Sequence, residues 1–380
     1  MSNFVVLEVP VIGYYHLVIS TSSEENEVVG LLIMFSDVWI LIANNKRLSQ
    51  KSFVLTSLFI VAISGTVLLF SGISINLYNN NYQADAQQQV GHTKINKLWE
   101  TTNDLKNPES VAYAPKQNVL FVSNLNGKPT EKDQNGFISK VSPSNGNIIE
   151  LNWVTGLNAP KGVAISNNNS RLYVSDITDL VEIDIDNGKI MKRFNAPGSV
   201  FLNDVVSDNQ GNIYVSDTIT NTIYKLDGNN NNTSSLQAWL QSPQLNGPNG
   251  LHVDNTKNKL IVASLGNMSK PGAGIEVVDL KGKTITTLGK EGKTSPFGGL
   301  DGIESDTMDT HYYVTDNPAG KVYIVNANGT GYGTLIDLHT QGAADLEFIP
   351  SQSTIIIPLM QDNKLVSYKL ADYGADNFSF

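Results

Sequence analysis

The sequence predicts an all-β fold: a six-bladed β-propeller over residues 95–380, preceded by a single transmembrane helix or signal-anchor. Three observations carry this. A unit of short strands recurs six times from residue 107 onward, and no helical periodicity of useful length follows residue 95. The segments between strands are rich in Asn, Gly, Asp and Pro, which supply turn geometry. An apolar stretch free of charged side chains, residues 53–75, lies upstream.

The chain has 380 residues, a formal net charge of -10 and no cysteine. That length suits one large all-β domain with an appendage. Without Cys, disulfides, zinc thiolate sites and cysteine nucleophiles are excluded. The acidic balance argues against a nucleic-acid partner, which would meet a basic face.

From the N-terminus, residues 1–52 are assigned to a cytoplasmic segment. Within it VVGLLIMFSDVWILIA, residues 28–43, is apolar but short and interrupted by Asp37, so a second membrane helix stays open, as does a start at Met34. Residues 53–75, FVLTSLFIVAISGTVLLFSGISI, are long enough to cross a bilayer as a helix. Lys46, Arg47 and Lys51 precede them and no Lys or Arg follows until Lys94. The positive-inside rule then places the propeller outside the cytoplasm. A cleaved signal peptide is the alternative, with Ala84-Asp85-Ala86 as its site, and it would make the protein secreted. Residues 76–94 are Asn- and Gln-rich and read as a linker. Sequons such as those at Asn267 and Asn328 would lie on exported loops.

The six repeats begin PESVAY at 108, PKGVAI at 160, LNDVVS at 202, PNGLHV at 248, LDGIES at 300 and ADLEFI at 344. Each runs from a short turn into an apolar strand, a polar turn and a second strand that is β-branched or aromatic, as in LYVSD and YYVTD. A third strand usually follows, such as TIYKLD or KVYIVN. The spacing of 42 to 52 residues between anchor positions is that of propeller blades. The last unit is one strand short, and KINKLWET, residues 94–101, is expected to complete it as its outer strand, closing the ring and removing an edge.

The first residue of each innermost strand is expected to face the central channel. Those positions read Glu109, Lys161, Asn203, Asn249, Asp301 and Asp345, all polar or charged. Calcium takes six to eight oxygens from carboxylates, amides and water. Glu109, Asn203, Asn249 and Asp301 would supply four and about neutralise a divalent ion. Turn chemistry accounts for any one Asn or Asp before Gly, but less well for their recurrence at equivalent positions. Asp176, Asp217 and Asp316, each ending a V-[ST]-D pattern, read as turn caps. Lys161 would either bind an anionic substrate or pair with Asp345 structurally.

With PESVAY at Glu109, LNDVVSD at Asn203, GPNGLHVD at Asn249 and GLDGIESD at Asp301, residues 100–370 resemble the senescence marker protein-30/gluconolactonase family. That family is similar in turn to the diisopropylfluorophosphatases and paraoxonases. The resemblance implies a calcium-dependent, monomeric propeller that hydrolyses a small-molecule lactone or ester, with Glu109, Asn203, Asn249 and Asp301 on the metal and Asp301 as catalytic base or nucleophile. It implies for Asp204 a second, structural ion. Two features depart from it: Tyr113 stands near where a Trp usually follows the blade-one Glu, and no pair among His252, His311 and His339 is placed as a His dyad. A non-enzymatic, NHL-like propeller for extracellular binding is the rival, since propellers host many functions. A strictosidine-synthase-like protein would share the fold and the anchor.

Overall fold

A computed structural model of the chain describes residues 95–228, 233–266, 272–289 and 295–370. All belong to the second of two units into which the chain divides between Gln87 and Gln88. The segment over 1–52, the anchor over 53–75, the linker over 76–94, the sequon at Asn267 and the tail from Ala371 lie outside the described residues. Among the described residues no helix is long and apolar enough to cross a membrane.

The six repeats are six four-stranded antiparallel sheets. Their innermost strands are Pro108–Ala114, Pro160–Ile165, Leu202–Ser207, Pro248–Asp254, Leu300–Ser305 and Glu347–Ile349. Each touches the next, and the last touches the first, so the inner strands form a closed ring. The second strands, such as Val119–Asn124 and Ile213–Asp217, are buried on both faces and read as continuous apolar runs. Between blades one and two, Phe121, Ile138, Leu157, Leu172 and Val174 form one sealed cluster, and equivalent clusters fill the other interfaces.

Ring closure follows the expected route. Asn96–Glu100 pairs antiparallel with Lys364–Lys369 as the outermost strand of blade six. Trp99 Nε1 also donates to Pro143 O at 3.0 Å, which fastens blade six to blade one.

One local irregularity positions the channel side chains. In each of the first five blades the pairing of the inner strand slips by a β-bulge between its first and fourth residues, for example between Pro108 and Val111 and between Leu202 and Val205. A bulge re-aims the side chains it contains. Glu109, Lys161, Asn203, Asn249 and Asp301 all sit inside one. Blade six slips by one residue between the Ala343–Leu359 bridge and the Glu347–Ile356 pair, and Asp345 lies within that slip, ahead of the inner strand.

The V-[ST]-D pattern ties this ring together. Asp217 is fully buried and accepts four backbone N–H groups, from Val200 and Phe201 at Oδ2 and from Ile219 and Thr220 at Oδ1. Asp176 and Asp316 collect loop N–H groups likewise, as turn caps. The preceding hydroxyl joins one blade to the next. Ser216 Oγ accepts from Asp204 N at 2.9 Å and donates to Asn249 O at 2.8 Å. Thr315 Oγ1 accepts from Gly302 N and donates to Ala344 O, and Ser175 Oγ donates to Asn203 O.

Candidate functional site

A glycine follows Lys161, Asn249 and Asp301, and close approach rather than turn geometry requires it. Gly162, Gly250 and Gly302 have no positive φ, but a Cβ on any of them would strike the backbone of the neighbouring blade. At Gly162 it would lie 2.5 Å from Asp204 Cα and 2.7 Å from Asn203 O. These three glycines therefore mark places where neighbouring blades touch backbone to backbone.

At one end of the inner strands, Glu109, Lys161, Asn203, Asn249 and Asp301 line a single cavity of about 490 Å³. All five are buried. Asn249 Nδ2 donates to Asp301 Oδ1 at 3.2 Å, and Asn317 Nδ2 donates to Asp301 Oδ2 at 2.8 Å. Asn203 Nδ2 is committed to Thr218 Oγ1 at 3.1 Å, which itself donates to Pro248 O. Two buried oxygens in this group have no hydrogen-bond partner: Glu109 Oε2 and Asn203 Oδ1. The cavity walls are apolar, built by Leu125, Pro129, Phe201, Leu265, Pro318 and Met360.

The electrostatics follow from burial. Glu109 is pushed well above the ordinary carboxylate range, first by desolvation and then by the charges of Asp301 and Asp345, with Lys161 opposing. Asp301 is raised to about 6, again chiefly by burial, against the hydrogen bonds from Asn317 and Asn249. Lys161 is lowered to about 8 by desolvation, which Glu109, Asp176 and Asp217 resist. Its Nζ donates to Ala159 O at 3.2 Å and sits 4.3 Å from the centroid of the Phe201 ring.

Asp345 is not part of this group, contrary to the expectation that the channel holds it beside Lys161, and neither is Asp204. They line a second cavity of about 190 Å³ toward the other end of the inner strands, together with Glu304 and Glu347. The bulge explains Asp204, because consecutive residues Asn203 and Asp204 emerge toward opposite ends. Asp345 stands at the position of Asp204 rather than of Asn203: Thr315 Oγ1 donates to Ala344 O as Ser216 Oγ donates to Asn249 O, so Ala344 holds the channel position of blade six. Its Oδ2 accepts from Ser110 Oγ at 2.6 Å and its Oδ1 from Leu346 N at 2.7 Å, and burial raises it to about 7. The two oxygens of Asp204 accept from Val205 N and Leu251 N. Among the described residues no three His, Asp or Glu side chains converge as metal ligands. Lys161 and Asp345 face different cavities and form no ion pair.

Asn317 and Thr218 are functional neighbours that the repeat pattern did not single out. Both immediately follow a V-[ST]-D, and each reaches back 15 or 16 residues to the ligand position of its own blade. That fixed offset was the available signal.

The group fits a hard cation. Its donors are oxygens, two of them buried and unpaired, and its amide nitrogens are spent on protein acceptors.

No family model matches the chain and no curated protein sequence matches it. Among solved structures, a gluconolactonase from Xanthomonas campestris is similar in fold, with a TM-score of 0.55 and 16% identity, covering 74% of this chain and 91% of the other. A catalytically inactive virginiamycin B lyase from Staphylococcus aureus, solved with quinupristin, aligns with a TM-score of 0.50 and 15% identity over 73% of this chain and 99% of the other. At these identities the similarity establishes the fold: a β-propeller architecture shared with a gluconolactonase.

Proposed function

We propose that the chain is a metal-dependent hydrolase of the SMP-30/gluconolactonase type acting on a lactone or ester, anchored by residues 53–75 with a monomeric propeller outside the cytoplasm. The observation that carries the reading is the pair of buried, unpartnered oxygens, Glu109 Oε2 and Asn203 Oδ1, in the cavity that also holds Asn249 and Asp301. An unsatisfied buried polar atom costs about 1–3 kcal/mol, so a site that keeps two of them gains from a ligand that satisfies both. Glu109, Asn203, Asn249 and Asp301 would hold a divalent ion, most readily Ca²⁺. Such an ion supplies Lewis-acid polarisation of a carbonyl oxygen.

The remaining work falls to side chains. Asn317 and Asn249 clamp both oxygens of Asp301 and fix the plane of its carboxylate. From that position Asp301 would accept the proton of an attacking water at its carboxylate. The apolar walls restrict water around the reacting bond and favour a substrate with an apolar portion.

The test is metal analysis of the purified full chain, with a lactone and ester panel assayed with and without chelator. The reading expects a stoichiometric divalent ion, chelator-sensitive hydrolysis, and a loss of about 10²-fold or more in Asp301→Asn. Absence of bound metal together with unchanged hydrolysis in Asp301→Asn would leave the chain a binding propeller instead.

A further inference from the structure

Lys161 is 2% exposed, yet no carboxylate lies within 4.0 Å of its Nζ among the described residues. Of its three N–H donors, one reaches Ala159 O and the ammonium rests on the Phe201 ring. Of the acids around it, Glu109 is the one a bound dication would claim, and the other two are already engaged. Asp217 holds four backbone N–H groups, and Asp176 holds those of Asn158 and Ala159 and the Arg193 guanidinium. A buried ammonium without a counter-ion is costly, and a cation–π contact offsets only part of that cost. Lys161 lines the same cavity as the four oxygen ligands, and the surrounding walls are apolar.

On the reading that Glu109 and Asp301 balance a bound dication, Lys161 leaves the cavity with one net positive charge. We infer that Lys161 is the recognition site for a carboxylate carried by the substrate away from the bond that reacts. The substrate class is then a carboxylate-bearing lactone or ester whose apolar body packs on Phe201, Leu125 and Met360. This deepens the hydrolase reading and rests on it, but the anion site itself is a property of the cavity. Lys161 acts as a specificity residue: its ammonium meets the anion directly, while Phe201 and Ala159 O hold the side chain in place.

Benzoate and benzamide serve as matched probes, planar and of equal size, differing in charge. By calorimetry on the full chain with Ca²⁺ present, benzoate is expected to bind at least tenfold more tightly than benzamide. That preference should vanish in Lys161→Met, which keeps the aliphatic stem over Phe201, and should persist in Lys161→Arg. In parallel, the wild type should hydrolyse 4-carboxyphenyl acetate with a KM at least tenfold below that of phenyl acetate. Lys161→Met should erase this difference through KM and leave phenyl acetate turnover within about threefold. Lys161-dependent benzoate binding without hydrolysis of either ester or of any member of the lactone panel would uphold the anion site and remove the hydrolase reading. Equal binding of benzoate and benzamide to the wild type, or equal benzoate binding to wild type and Lys161→Met, would overturn the inference whatever the esters show.

Discussion

Gly162→Ala places one methyl group where two blades already touch. The new Cβ would stand 2.5 Å from Asp204 Cα and 2.7 Å from Asn203 O, whereas carbon atoms in contact settle at about 3.5–4.0 Å. Blades two and three would have to separate by roughly 1 Å, and both obstacles are backbone atoms that cannot rotate aside. Overpacking of this kind costs about 1–3 kcal/mol, and rigid surroundings on both sides put Gly162 at the upper end, near ~3 kcal/mol. For a domain of this size that corresponds to a fall in Tm of roughly 6–12 °C. Differential scanning calorimetry measures it, with Gly274→Ala as the control: that glycine also has ordinary φ, and its Cβ would meet only the Glu276 side chain, at 3.3 Å, and the Thr287 methyl, at 3.9 Å. A Gly162→Ala midpoint within 2 °C of the wild type on the scale above, or an equal fall in Gly274→Ala, would refute the argument that blade contact dictates this glycine.

Two further outcomes are expected. His252 bridges blades four and five, with Nδ1 3.1 Å from Glu304 and Nε2 3.3 Å from Asp309; burial opposes its charge, but hydrogen bonds to Asp309 and Glu304 prevail and raise it to about 9. A raised folded-state pKa gives stability that is complete below the unfolded value near 6.5 and lost as pH climbs through about 9, so His252→Gln should destabilise by on the order of 2–3 kcal/mol more at pH 6 than at pH 10; urea titrations showing equal losses at both would exclude the bridge. Asp217→Ala orphans four backbone N–H groups in a fully buried site and should cost roughly 3–5 kcal/mol, with a loss under about 1 kcal/mol in the same titrations counting against the cap.

The blades were legible because each repeat carries its own strand pattern and turn residues, and Asn96–Glu100 was legible because the sixth repeat lacked a strand. Four candidate positions were legible through their equivalent places in the repeats, and the structure brings Glu109, Asn203, Asn249 and Asp301 to one cavity. What the residue string did not reveal was direction. A bulge changes no residue type, yet it decides that Asn203 and Asp204 emerge at opposite ends, and a one-residue offset in the sixth repeat puts Ala344 rather than Asp345 at the channel position. Gly250 reads as a turn residue by composition, because the neighbours that crowd it, Asp301 and Gly302, are 51 and 52 positions further along the chain. Nothing local marks His252 as a bridge, because its partners Glu304 and Asp309 lie 52 and 57 residues away.

The pairing that closes the ring also sets a clock. Thr101 Oγ1 accepts from Leu365 N across 264 residues of chain. At translation speeds of about 5–20 residues per second, the first strand of the domain waits roughly 15–50 s for the last. Throughout that interval Asn96–Glu100 has no sheet to join, and once blade six appears it too carries an open edge until the two meet. Contacts of such long range form slowly, and unpaired edges recruit other chains. The propeller's finished state has no seam, but every copy passes through a seamed one, so the yield of folded protein should depend on how quickly the end of the chain follows its beginning.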